Sequence, residues 1–182
     1  DLGIAVARAL FEQSAIAPSD IDLVIATNMA QASFDAYYLP RHIGLYAGVP
    51  QTTPALLVHR ICGSGFETIT QASDSIQLGK ASAALCVGAE SMSRNPVAAY
   101  THRGGFQMGR VEFKDFLWEA LHDPAPDINM GATAENLARQ YDISRADVDS
   151  YAERSFACAV AAKERGFHAG EITSLSSQTF EL

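Results

Sequence analysis

Apolar positions along the first ninety residues alternate between two spacings. From Asp1 to about Ser14, Leu2, Val6, Ala9 and Leu10 form an apolar stripe, which predicts a helix that Asp1 can cap. Pro18-Ser19-Asp20 is a turn, and Ile21 to Ala26 reads as a short β-branched strand. The segment Asp35 to Ala47 is expected to be helical, with Pro40 at a helix start or a kink. Ala55 to Val58 and Ala83 to Val87 read as buried strands. Between them Gly63-Ser64-Gly65 opens a helix that continues to Leu78 and stops at Gly79. Its inward positions are expected to be Phe66, Ile69, Ser73 and Ile76, a mix of sizes suited to packing on a neighbouring helix. Short apolar strands alternating with helices predict an α/β layered sheet with helices on both faces.

The pattern breaks from about Ser93 to Asn129, a stretch rich in Gly, Pro, His and aromatic residues. Structureless stretches of this length in compact proteins are usually functional loops or excursions. Helical order returns at Gly131 to Tyr141. A capping-box pattern, Ser144 with Asp147, then starts a long helix ending at Gly166. The expected division is a core over 1–92 and an excursion over 93–182, its extent approximate. No internal repeat or low-complexity tract is evident.

Composition narrows the partners. With 48% hydrophobic and 19% charged residues the chain is too apolar for disorder. The net charge of −8 argues against nucleic acid, because phosphate binding needs clustered Lys and Arg. No apolar run approaches the roughly 20 residues needed to span a bilayer, so no membrane role is expected. No signal peptide is visible; the chain opens at Asp1 inside a helical pattern, which reads as a processed, trimmed or incomplete start. Three irregularly spaced cysteines suggest neither a disulfide framework nor zinc, and a reducing compartment is the simpler reading.

One cysteine stands apart. In the run from Val58 to Phe66 a predicted strand delivers Cys62 to the first turn of a helix, where unpaired N–H groups favour negative charge on sulfur. Flanking glycines let the backbone turn and a substrate approach, and backbone N–H groups there suit a developing oxyanion. The arrangement fits acyl transfer through a thioester on Cys62. Position alone does not establish this, because a lone cysteine is more often a small buried apolar residue. Cys86, inside an apolar strand, and Cys158, among alanines on the long helix, are expected to serve packing.

The string Arg60-Ile61-Cys62-Gly63-Ser64-Gly65, then Gln77-Leu78-Gly79, then Gly88-Ala89-Glu90-Ser91-Met92-Ser93 resembles the thiolases, the acetyl-CoA acetyltransferases and 3-ketoacyl-CoA thiolases. Met130-Gly131-Ala132-Thr133-Ala134-Glu135-Asn136 and Ile143-Ser144-Arg145 continue the likeness in order across nearly the whole chain. The resemblance implies a thiolase-type layered α/β fold of two similar halves sharing a buried helical layer. This chain would supply most of the first half and the loop-domain excursion. It further implies that Cys62 takes the acyl group, that Leu121 and Met130 line the coenzyme A and acyl pocket, and that coenzyme A is a substrate rather than a cofactor. No metal is implied. A homodimer or homotetramer in the cytoplasm, or in the mitochondrial matrix of a eukaryote, is the family expectation. Departures are visible. Asn129 stands where many members carry histidine, His59 where a small polar residue, commonly Asn, is usual, and 33–41 keeps only Pro40-Arg41 of a Gly-rich segment.

Two family motifs do not occur in the sequence: a Gly-His-Pro histidine that activates the nucleophile, and a second cysteine in a Gly-rich setting that moves protons at the substrate α-carbon. None of His42, His59, His102, His122 and His168 precedes proline, and each reads as a surface or hydrogen-bonded residue. In the family both motifs lie beyond the position of Leu182, so an incomplete chain, inactive alone, is expected. Between Asn95 and Met130, Arg103, Arg110 and Lys114 face Glu112, Asp115, Glu119, Asp123 and Asp127, and none of the cations is singled out as a coenzyme A ligand. Two other readings stay open: a ketosynthase-like condensing enzyme, and a non-catalytic acyl-CoA-binding subunit.

Overall fold

The computed structural model describes residues 1–100 and 102–175; the last part of the expected excursion, 176–182, lies outside them. The chain divides into two compact units, Asp1–Leu117 and Trp118–Ser174, so that 93–117 clusters with the first.

The first unit is built on a parallel sheet of β1 (Leu23–Thr27), β2 (Ala55–Leu57) and β3 (Ala84–Gly88) in the order β2-β1-β3. Leu23 pairs with Ala84 and Val24 with Ala55, and β1 is the central strand. Its run Leu-Val-Ile-Ala-Thr is buried on both faces, as a central parallel strand requires. Helices α1 (Leu2–Gln13) and α2 (Leu39–Tyr46) cover one face. There Ile4, Ala7, Ile43 and Ala47 meet Val24, Ala26, Leu85 and Val87 in one apolar cluster. Pro40 sits in the first turn of α2, where its missing N–H costs nothing. Arg41 Nη1 donates to the Thr53 carbonyl at 2.8 Å and Nη2 to that of Gln51 at 2.6 Å, tying α2 to the loop before β2.

Helix α3 (Ser64–Gln77) packs on the opposite face, against β1 and β3. The chain leaves β1 through α2 on one face to reach β2, then crosses through α3 on the other to β3. Because all three strands run parallel, their carboxyl ends lie at one edge of the sheet, where α/β proteins place their ligands.

Three expectations need correction. The stripe Leu2, Val6, Leu10 of α1 faces outward, and Gly3, Ile4 and Ala7 are the buried positions. Small residues face the core here because α1 lies close to α2: a Cβ on Gly3 would collide with Ile43. The β2 strand is an edge, its Ala55 and Leu56 exposed. On α3 the buried residues are Ser64, Thr68 and Ala72, whereas Phe66 is 80% exposed and Ile69 62%. Ser73 and Ile76 are exposed as well. The side of α3 expected to face inward is its outward side in this chain.

Beyond β3 the first unit continues through an antiparallel pair, β4 (Val97–Ala98) with β5 (Lys114–Asp115), and α4 (Phe116–Leu121) runs on past the unit boundary. The second unit holds a hairpin, β6 (His122–Asp123) with β7 (Ile128–Asn129), then α5 (Met130–Gln140) and α6 (Arg145–Glu164). No described residue of Trp118–Ser174 is buried. Cys158, expected to pack, is exposed on α6. That helix is held locally, by the Ser144–Asp147 capping box and the Arg145–Asp149 ion pair.

Candidate active site

Between the end of β2 and the start of α3 the chain makes a tight elbow. Gly63 is the N-cap of α3, so Cys62 sits one residue outside the helix rather than in its first turn. Ile61, just before it, has φ +50°. A β-branched residue in the left-handed region is a strained outlier, at a cost of about 1–3 kcal/mol. The strain is held by Ser64, which is 2% exposed. Its Oγ accepts the Arg60 N–H at 2.7 Å and donates to the Ile61 carbonyl at 2.6 Å. The N–H groups of Gly63 and Ser64 close the turn on the Arg60 and Ile61 carbonyls at 3.0 and 3.1 Å. These two amides are spent within the elbow, which moves any oxyanion donors elsewhere. Cys62 itself is exposed, at the edge of the sheet where ligands bind.

Arg60 reaches along the helix to Glu67, with Nη1 2.7 Å from Oε2. A bond from the Gln71 amide, and then Arg60, hold the Glu67 carboxyl below its ordinary range. The guanidinium is thereby engaged beside the cysteine.

A second set of contacts anchors the neighbouring strand ends. Glu90, two residues beyond β3, accepts the N–H groups of Met29 and Ala30 on Oε2 at 3.0 and 3.1 Å, and the Asn28 amide on Oε1 at 2.9 Å. Asn28 also donates to the Ala89 carbonyl at 2.7 Å and accepts the Ala32 N–H at 3.0 Å. His59 Nε2 lies 3.0 Å from the Met29 carbonyl, and His59 Nδ1 accepts the Ile61 N–H at 3.3 Å. A carbonyl only accepts, so the proton of this imidazole is on Nε2 and both ring nitrogens are occupied.

The other histidines are engaged away from Cys62. His42 lies 4.0 Å from Asp35 and stacks on Tyr38. His102 contacts the Ala99 carbonyl, His122 contacts Asp127, and His168 contacts Glu171. Cys86 is half-buried on β3, its Sγ donating to the Thr68 carbonyl at 3.4 Å. Burial pushes its thiol up, which suits an unreactive packing cysteine.

In the second unit Leu121 precedes β6 and Met130 follows β7. His122 pairs with Asn129, so the two apolar residues occupy the next position of the same hairpin. Both are accessible, Met130 at 50% and Leu121 at 36%. Asn129 caps α5, accepting the Ala132 N–H at 2.9 Å, a role a histidine at this position performs poorly. No group of His, Cys, Asp or Glu among the described residues could hold a metal ion.

The model of the thiolase N-terminal domain matches residues 1–181. The chain belongs to the thiolase family. The rat mitochondrial 3-ketoacyl-CoA thiolase is 42% identical over 180 residues, covering 98% of this chain and 45% of that protein. The beta-ketothiolase BktB of Cupriavidus necator is 39% identical over 178 residues, with 98% and 45% covered. Among solved structures, human mitochondrial 3-ketoacyl-CoA thiolase in complex with CoA superposes with a TM-score of 0.88 at 40% identity, covering 92% of this chain and 42% of that one. The Bacillus anthracis acetyl-CoA acetyltransferase gives 0.86 at 33% identity, with 97% and 46% covered. The chain thus spans slightly under half the length of these relatives, and its fold is that of the thiolase N-terminal half.

Proposed function

We propose that Cys62 is the acyl acceptor of a coenzyme A-dependent acyltransferase. The observation that carries this reading is an exposed thiol on a strained elbow, at the carboxyl ends of a parallel sheet and the mouth of α3. In the full reaction the sulfur attacks an acyl carbonyl of acetyl-CoA or a 3-ketoacyl-CoA. From acetyl-CoA the coenzyme A thiol departs and takes up a proton. From a 3-ketoacyl-CoA the bond between the α- and β-carbons breaks, the α-carbon takes up the proton given up by the thiol, and acetyl-CoA departs. The acyl-Cys62 so formed is released by free coenzyme A (thiolysis) or condenses with a second acetyl-CoA. Coenzyme A is substrate, and no other cofactor enters.

The rest of the machinery follows the family. A core over 1–92 carries the nucleophile, and the excursion that begins at 93 carries Leu121 and Met130 to the coenzyme A and acyl pocket. The activating Gly-His-Pro histidine and the second cysteine do not occur in this chain. Turnover by these residues alone therefore falls by orders of magnitude, because a nucleophile without its base is weak. The family match favours thiolase over a ketosynthase-like reading. A homodimer or homotetramer in cytoplasm or mitochondrial matrix completes the proposal. The alternative reading is a subunit that binds acyl-CoA without transferring the acyl group.

Incubation with radiolabelled acetyl-CoA tests the reading. Label is expected on Cys62 and is lost in Cys62→Ala. Label retained by that variant would remove Cys62 from the mechanism, and coenzyme A binding with no label in either protein would favour the binding subunit.

A further inference from the structure

We propose that Glu90 is a positioning residue for Cys62, acting through the Met29 peptide and His59. The contacts run without a gap. Glu90, at the carboxyl end of β3, gathers the N–H groups of Met29 and Ala30 on one oxygen and the Asn28 amide on the other. A carboxylate accepting several N–H donors makes charge-assisted bonds, stronger than neutral ones. These bonds fix the segment leaving β1 and aim the Met29 carbonyl at His59. The imidazole donates from Nε2 to that carbonyl and accepts the Ile61 N–H on Nδ1. Ile61 is the residue held at φ +50° immediately before Cys62.

The physical role follows from the strain. Left alone, Ile61 relaxes to negative φ, and the peptide joining it to Cys62 swings with it. Ser64 grips the Ile61 carbonyl from the helix side, and His59 grips the Ile61 N–H from the sheet side. With both grips in place Cys62 stays at the mouth of α3, exposed at the carboxyl edge of the sheet. Only a side chain with a donor at one end and an acceptor at the other bridges Met29 and Ile61 in this way. His59 does so in this chain.

The proposal rests on the acyl-acceptor reading for its purpose, while its test needs no turnover. Alkylation by iodoacetamide is followed site by site with peptide mass spectrometry on the purified chain. Cys158, exposed on α6 in the other unit, is the internal reference. Cys62 is expected to react faster than Cys158. Glu90→Gln is expected to slow Cys62 about fivefold, the worth of roughly one net hydrogen bond, and to leave Cys158 unchanged. His59→Phe, which keeps the ring and removes both nitrogens, should do the same. In the double variant the two losses should not multiply, because the second substitution cuts a link already broken. His59→Asn retains an acceptor for Ile61 and should keep most of the rate, but become insensitive to Glu90→Gln.

Equal rates for Cys62 and Cys158 in the unsubstituted chain would overturn this proposal, whereas the acyl-acceptor reading is decided separately by label from acetyl-CoA on Cys62. A fast Cys62 that stays fast in Glu90→Gln, or losses that multiply in the double variant, would overturn the proposal as well. Should Glu90→Gln fail to fold, the exposed His59 pair decides: a His59→Phe variant with an undiminished Cys62 rate would equally overturn it.

Discussion

Ile61 concentrates the local chemistry of the first unit. The residue is 55% exposed and contributes little packing, yet its backbone occupies a region that β-branched residues avoid. Glycine adopts that conformation freely. Ile61→Gly releases about 1–3 kcal/mol of strain and loses about 1 kcal/mol to the greater freedom of the unfolded chain. A net gain of about 1 kcal/mol is expected, seen as a melting temperature unchanged or raised by a few degrees. A fall of several degrees would mean that the elbow is not strained. Reading the residues in order located Cys62 at this junction, but it did not reveal Ile61, Ser64 or Glu90 as its supports. Glu90 stood in a string that carried the family likeness, with nothing in the string to say which backbone amides its carboxylate meets. Those amides belong to residues some sixty positions away.

At the level of elements, α6 was legible nearly to its ends because its determinants are local. Ser144 accepts the Asp147 N–H at 3.1 Å, and Asp147 returns a bond to the Ser144 N–H at 3.0 Å. Removing the hydroxyl in Ser144→Ala is expected to cost about 1 kcal/mol of helix stability, measured by thermal unfolding followed by circular dichroism. The cap also has a pH signature. Bonds from the Ser144 hydroxyl and then its amide hold the Asp147 carboxyl below its usual 3.8. A depressed folded value means that the stabilisation is present above 3.8 and is lost as pH falls through the lower, folded value. Helicity should therefore decline on acidification in that range, and less steeply in Ser144→Ala. An identical acid profile in both proteins would deny the cap its part. The sheet strands are legible to within two residues for the same local reason. Which strand lies at the edge was not legible, because β2 and β1 are both short apolar runs and only pairing separates them.

For the molecule as a whole, the arrangement of apolar surface is the dominant feature. The first unit has a continuous core between its sheet and α1 and α2, whereas the outward face of α3 exposes Phe66 and Ile69, and no described residue from 118 to 174 is buried. Exposed apolar side chains in that number mark surfaces that associate. Phe66→Asp with Ile69→Asp is expected to leave the melting temperature within a few degrees. Thr68→Asp, on the buried face of the same helix, should lower it strongly, since an unpaired charge would be placed against the sheet. A double variant as unstable as Thr68→Asp would mean that Phe66 and Ile69 pack inside the unit.

The order of strands and helices, the turn that carries Cys62, the capping box and the thiolase likeness follow from residues close together in the chain, where propensity, capping and motif spacing act. Which helix face is inside, which strand is an edge, and which carboxylate steadies the elbow depend on groups brought together from distant positions. An apolar stripe states that a surface needs cover without naming the cover: on α1 and α3 the small residues Gly3, Ala7, Thr68 and Ala72, with Ile4, took the inside, because small side chains let the helices lie close to their neighbours.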